Sequence, residues 1–179
     1  SMGKYERGKC ADRGHFLLRL FRRFMVLWLL GMVAQGNLLA LDLRQLHLYS
    51  NTLQSIAVGY VVVALLFVYT SWLTHLTVVA SCMLAYVAVF AIWGQMDFTI
   101  DVNICEEIDR QVLGRWRDGL VWQGNQWLWE PTYHYTWILS SLNFVATVYM
   151  GCMAGMVLRS GLKNTSKLRI LLFEGLLLI

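Results

Sequence analysis

The side chains most often used in catalysis and metal binding are few in this sequence and do not form a known pattern. The four cysteines contain no CxxC pair, and the four histidines form no HExxH motif and no Cys/His cluster with metal-ligand spacing. No GxSxG motif places a serine nucleophile on a strand-to-helix turn. The sequence therefore predicts no catalytic residue, no metal site and no bound cofactor, and it favours a non-enzymatic protein.

The composition indicates instead that the chain is built for lipid. Charged residues make up 15% of its 179 positions, whereas an ordinary soluble domain has about 25%. Hydrophobic residues make up 58%, and the mean hydropathy is +0.52. The net charge of +4 comes from basic residues beside apolar stretches, which indicates an orientation signal and not nucleic-acid binding. We expect an integral membrane protein.

Uncharged stretches of membrane-spanning length predict the fold. Residues 24–41 are free of charge, and the interval 45–96 contains only uncharged side chains apart from histidine but is too long for one crossing. We place a tight turn at Thr74-His75, inside its only polar cluster. An all-α integral membrane protein of one domain, 1–179, follows. Its four-helix transmembrane bundle has spans near 24–41, 53–73, 76–96 and 135–158.

The distribution of lysine and arginine predicts the orientation of these spans. The tails 1–23 and 159–179 carry seven and four basic residues, whereas the long loop 97–134 is acidic. Because basic residues accumulate on the cytoplasmic side, we expect both termini in the cytoplasm and loop 97–134 outside. The sequence is equally compatible with the plasma membrane and with an internal membrane.

The outer loop is expected to hold one short helix. Asp101 is a candidate cap for a helix over 102–113 that ends at Gly114. Ile108 lies on its apolar face and Glu107 on its polar face. We therefore expect an interfacial helix on the membrane surface.

Tryptophan is concentrated in the remainder of this loop. The group leads into the last span, and rings of this kind rest at headgroup depth in many membrane proteins. An aromatic belt and a partner or ligand surface are the two interpretations. The interface candidates are Trp116, Trp122, Trp127 and Trp129.

Two cysteines have specific expectations. Cys10 lies among basic residues near the first span, where either palmitoylation or a free cytosolic thiol is expected. Cys105 lies in the outer loop without a partner cysteine, so an internal disulfide is not expected and an intermolecular one stays open.

The C-terminal run 168–179 is apolar but too short to span and contains Glu174. We expect an amphipathic interfacial tail, with a truncated fifth span as the alternative.

Small and polar residues recur every four positions in the last span. They fall on one helical face and include a GxxxG pair, which lets helix backbones approach closely in lipid. This face is predicted to pack against a helix of the same bundle or of another subunit. Its members are Asn143, Thr147, Gly151 and Gly155.

A second polar patch lies in the first span, at Gln35, Asn37 and Asp42. Hydrogen bonding between helices is the simpler interpretation, and a small pore or transport site is the alternative.

The layout of cytoplasmic ends, an almost loopless turn at Thr74-His75 and a longer outer loop holding Cys105 resembles four-span scaffolding proteins of MARVEL type over Phe24 to Leu158. The resemblance implies a non-enzymatic organiser of membranes or junctions that acts by lateral helix packing. Its expected partners are membrane lipids and other transmembrane proteins, including further copies of itself. The alternatives are an accessory subunit of a larger membrane complex and a small membrane enzyme or transporter.

Overall fold

A computed structural model describes residues 13–34, 46–99, 103–129 and 137–176. Of these residues, 74% are helical. The helices are α1 (Arg13–Ala34), α2 (Thr52–Tyr69), α3 (Trp72–Ile92), α4 (Ile104–Leu113), α5 (Ser141–Arg159) and α6 (Asn164–Leu176). A 3-10 turn (Gly114–Trp116) and the strands β1 (Leu120–Gln123) and β2 (Gln126–Trp129) lie between α4 and α5.

Helix α2 is the centre of the packing. It contacts α1 on one side and α5 on another, and α5 contacts α3 in turn. Helix α2 is much more buried than α3, since eight residues of α2 are buried and the longer α3 buries only His75 and Phe90. An apolar helix that is exposed over most of its surface suits a surrounding of lipid or of other helices.

Three helices are long and apolar enough to cross a membrane: α2, α3 and α5, counted over the described residues alone. They correspond to the second, third and fourth predicted spans. The first predicted span, 24–41, differs most from the structure. Helix α1 already begins at Arg13 and is described to Ala34, and it includes arginines that the sequence interpretation placed in a tail.

The start of α2 is held by a buried glutamine. Asn51 caps the helix by accepting a hydrogen bond from the Leu53 amide, 2.9 Å away. Gln54 is fully buried, accepts from the amides of Ser50 and Asn51, and donates to the carbonyl of Leu48. This reciprocal capping box satisfies amides that the first helical turn leaves open.

The turn between α2 and α3 lies at Thr70-Ser71 and not at Thr74-His75 as predicted. Ser71 is the N-cap residue of α3, and its hydroxyl lies 3.0 Å from that of Thr74. His75 is therefore helical and buried, and its Nε2 donates to the carbonyl of Leu66. These polar side chains form hydrogen bonds at the helix ends. They therefore indicate the region in which the turn lies but not the residues that form it.

Helices α2 and α5 approach most closely at Gly59. A Cβ atom there would lie 2.7 Å from the carbonyl oxygen of Phe144. Val63, Val145 and Tyr149 form the buried cluster that continues from this contact towards the ends of the helices. Glycine is required because any side chain would push the α5 backbone away.

The predicted outer-loop helix is present as α4. Asn103, not Asp101, caps it, with the amide of Glu106 donating to the Asn103 side chain at 3.0 Å, and it ends at Gly114 with φ of +54°. Glu107 is exposed as expected. The buried side is polar, however, and consists of Cys105, Glu106 and Asp109.

The loop 97–134, predicted to be the outer one, also contains a β-hairpin, which the all-α expectation did not include. β1 and β2 pair antiparallel, with Trp122 opposite Trp127. Gly124 and Asn125 form the two-residue turn, both with positive φ, which suits the right-handed twist of a hairpin. The hairpin thus contains three of the four predicted interface tryptophans, Trp122, Trp127 and Trp129.

The C-terminal segment is helical from Asn164 to Leu176. Its apolar side chains are exposed on more than one side, since Leu168 and Leu172 share a face and Ile170 lies opposite. This distribution differs from the predicted amphipathic tail.

Candidate functional site

Two regions stand out from the packed bundle: a buried ionic cluster at the end where α2 and α5 begin, and an open face of α5. The ionic cluster consists of His47, Glu106, Asp109, Arg117 and Asp118.

Backbone pairing brings the two connecting segments of the ionic cluster together. The amide of Leu48 donates to the carbonyl of Trp116 at 2.9 Å, and Tyr49 forms a parallel bridge with Arg117. The segment before α2 is thereby fixed to the segment before β1. This contact aligns side chains that are about seventy positions apart in the chain.

Glu106 and Arg117 form the central ion pair. An Nη1 atom of Arg117 lies 2.5 Å from Oε1 of Glu106, and the two residues are 8% and 2% exposed, respectively. Burial lowers the pKa of the Arg117 guanidinium, and the Glu106 carboxylate opposes that shift. Since a buried charge without its partner is very costly, the pair holds α4 against the following segment.

His47 bridges the hairpin and Asp118. Its Nε2 lies 3.0 Å from the carbonyl oxygen of Leu120, so Nε2 carries a proton and donates it. Its Nδ1 faces Oδ1 of Asp118 at 3.6 Å. Burial raises the pKa of the Asp118 carboxyl, while the charge of His47 opposes this shift.

Asp109 connects α4 to the entrance of α5. Its carboxylate accepts a hydrogen bond from the amide of Ile138 at 3.1 Å. Burial nevertheless raises its pKa from 3.8 to about 7, with a further contribution from the charge of Glu106. The carboxyl is therefore partly protonated near neutral pH.

Cys105 is buried beside this cluster and is only 1% exposed. Burial raises the pKa of its thiol to about 12, and the negative charge of Asp109 adds to that shift. The thiol is therefore neutral and inaccessible. The intermolecular disulfide that stayed open from the sequence requires an accessible sulfur, which the folded chain does not offer at this position.

A hydroxyl network joins the ionic cluster to the helices. The buried Tyr49 hydroxyl bonds Ser55 in α2 at 2.7 Å and also bonds Ser141 at the start of α5. The Tyr49 ring stands edge to face on Trp28 of α1, with ring centroids 5.7 Å apart. One residue therefore contacts three helices, which makes it the main link between the cluster and the bundle.

The chemistry that the ionic cluster shows is charge pairing, together with proton binding at Asp109. Over the described ranges no three His, Cys, Asp or Glu side chains are placed to hold a metal ion. The residues instead pair with one another, and each named contact closes a connection between elements. The cluster thus holds these elements together, and the charge of Asp109 within it depends on pH.

Comparisons of the chain with protein-family models, curated proteins and solved structures found no match. No family is assigned.

The predicted face of α5 is open. A Cβ atom added at Gly151 or at Gly155 would meet no atom within 4 Å. Thr147 is exposed and its hydroxyl bonds back to the carbonyl of Asn143 in the same helix. The GxxxG pair therefore makes no close approach to the described helices. The close approach on α5 is made nearer its start, at Phe144, against Gly59.

The tryptophans of the outer loop have different surroundings. Arg115 lies over the ring of Trp116, 4.0 Å from its centroid. Trp122 and Trp127 contact each other edge to face across the hairpin at 5.0 Å. Trp129 pairs with Leu120 in the ladder. These positions order the loop and leave the choice between an aromatic belt and a partner surface open.

Several predicted positions lie outside the described residues: Cys10 and the patch of Gln35, Asn37 and Asp42. The sequence interpretation missed Gly59 and the ionic cluster. No pattern around Gly59 predicts its role, because the backbone that it contacts, at Phe144, is distant in sequence. The Gly124-Asn125 dipeptide between aromatic and aliphatic residues was a usable hairpin signal.

Proposed function

We propose that this chain is a non-enzymatic, multi-pass membrane protein that organises other membrane proteins by lateral helix packing. In this proposal α1 crosses the membrane with α2, α3 and α5, as in a MARVEL-like layout. Both termini are cytoplasmic, and the ionic cluster closes the outer end. The partners are membrane lipids and transmembrane proteins.

The open face of α5 is the observation that carries the proposal. Gly151 and Gly155 expose backbone on a helix apolar enough to span a membrane, and no described helix covers them. In lipid, association depends on close packing, because lipid tails are as apolar as the side chains. A face that already lacks side chains offers another helix the closest contact.

The test replaces each glycine by leucine and measures assembly and stability together. Gly151→Leu and Gly155→Leu should remove the partner chain from complexes extracted in native membrane particles, while the melting temperature of the isolated chain does not fall. Ala85→Leu, on the exposed surface of α3, is the matched control with the same added side chain. Complexes that persist in both glycine variants would exclude the face as the interface.

An accessory subunit of a larger complex is the second candidate, and α6 favours it. This helix exposes five large apolar residues, which need either lipid or a protein cover. They are Leu168, Ile170, Leu172, Phe173 and Leu176. Native mass analysis separates the candidates, because an accessory subunit has a fixed stoichiometry with its other chains and an organiser has a variable one.

A further inference from the structure

The position of α1 against α2 places arginines beside the middle of an uncharged helix. At one end Phe16 contacts Tyr69, and at the other Gly31 lies against Leu53 and Gln54. The two helices therefore run antiparallel along their whole described lengths. Between these ends, Arg23 donates a hydrogen bond to the hydroxyl of Tyr60 at 2.9 Å.

Tyr60 lies halfway along α2, a helix without a single charged residue. If α2 spans the membrane, Arg23 and the neighbouring Arg22 lie at the depth of the hydrocarbon. Ionisable residues at that depth are rare and usually mark a functional contact. The same two arginines were expected from the sequence to be in a cytoplasmic tail.

The donors of these arginines are largely unused within the described chain. Both side chains are exposed, and the Tyr60 hydroxyl satisfies only one N–H of the five that the Arg23 guanidinium carries. Beyond them the same side of α1 is apolar and exposed, at Val26, Leu30 and Val33. A complementary surface thus needs a negative group opposite the arginines and apolar side chains beyond it.

The distance along α2 argues against a lipid phosphate as the group opposite Arg23. The turn after α2 exposes Trp72 and Leu73, and an exposed tryptophan beside a turn suits headgroup depth. Tyr60 is nine residues before the end of α2, or about 13 Å along the helix axis. A carboxylate carried into the hydrocarbon by another chain therefore fits this position better than a lipid phosphate does.

A second copy of this chain cannot supply that group from its apolar spans. Helices α2, α3 and α5 contain no aspartate or glutamate. A helix of a different protein is therefore the better source of the negative group.

We infer that the α1 face carrying Arg22 and Arg23 docks a transmembrane helix of another protein, with an aspartate or glutamate within its apolar span. A carboxylate accepts two parallel N–H bonds from a guanidinium, and this contact is strong where water is excluded. The inference rests on the proposed membrane insertion and lateral association, but it uses a different helix face from α5. It makes the assembly heteromeric.

The experiment uses the full chain and a designed probe, a leucine-rich transmembrane peptide with a single central aspartate. Energy transfer between labelled chain and peptide in phosphatidylcholine vesicles measures association. The aspartate peptide should associate about tenfold more tightly than the same peptide with leucine at that position. Arg22→Gln combined with Arg23→Gln should remove this difference, and Arg159→Gln, at the end of α5, should leave it unchanged.

Folding and alternative occupants are controlled separately. Arg22→Gln alone alters no hydrogen bond in the described chain, so its partial loss of binding excludes misfolding as the cause.

Equal association of the two peptides with the wild-type chain would overturn the inference. Phosphatidylglycerol that stabilises the wild-type chain but not the double variant, with no advantage for the aspartate peptide, would overturn it in favour of a lipid. Gly151→Leu should not change peptide binding, so failure of the α5 face is recognised independently.

Discussion

Arg117 and Glu106 lie 2.5 Å apart in a buried ion pair that joins α4 to the segment leading into the hairpin. Both residues are almost fully removed from solvent. The attraction between the two charged groups compensates for their lost hydration only while both charges are present. This pair therefore gives the clearest test of the outer end of the fold.

Arg117→Met should destabilise the protein by about 3 to 5 kcal/mol, because Glu106 then keeps a buried charge without its guanidinium. Glu106→Leu combined with Arg117→Met should recover most of that loss. Denaturant unfolding of the detergent-solubilised single and double variants provides the measurement. If the double variant is as unstable as Arg117→Met alone, desolvation of Glu106 is not the cause.

The pH dependence of stability should be governed in part by Asp109. Its pKa is raised from 3.8 to about 7, so the folded state holds a proton that the unfolded state releases. This contribution is fully present below pH 4 and is lost as the pH rises towards 7. Asp109→Asn should therefore raise the melting temperature at pH 7.5 by roughly 2 to 6 °C, for a gain of about 1 to 2 kcal/mol.

The same substitution should have much less effect at pH 3.5, where Asp109 is mostly protonated in both the folded and the unfolded chain. Asparagine keeps an oxygen that can accept from the Ile138 amide, so the comparison isolates the charge. A melting temperature that changes equally at both pH values would contradict the proposed titration.

Gly59 and Gly151 should respond in opposite ways to the same added methyl group. Gly59→Ala places a carbon 2.7 Å from the backbone oxygen of Phe144 and should cost about 1 to 3 kcal/mol. Gly151→Ala meets no neighbour and should stabilise the isolated chain by about 0.5 to 1 kcal/mol, since alanine favours a helix. Thermal melting of both variants in one detergent makes the comparison, and equal losses would contradict the helix arrangement.

Glycosylation tests the proposed orientation. An acceptor made by Gln123→Asn and Asn125→Ser, in the exposed hairpin turn, should be modified, because this loop is proposed to lie outside. Asn164-Thr165-Ser166 should stay unmodified, because the residues after α5 are proposed to be cytoplasmic. A shift in mass after glycosidase treatment reports each site, and modification at Asn164 would reverse the orientation.

Parts of the candidate sites could be predicted from neighbouring residues and parts could not. The Gly151 to Gly155 face can be recognised in the sequence, because the two glycines are four positions apart and so lie on the same face of one helix. The sequence does not say which neighbour that row meets. The ionic cluster was not predicted at all, since His47 and Asp118 come together only when two separate loops pair.

The sequence by itself determined the apolar helices α2, α3 and α5, because the lack of charge over a membrane-spanning length is a local property. It also determined the end of α4 at Gly114, where positive φ suits glycine. Only the tertiary structure decided that Arg23 lies beside the middle of α2 and that Gly59, not Gly151, makes the close helix contact. Both depend on the register between helices, which is decided by the fit of side chains distant in sequence and not by the periodicity of either helix alone.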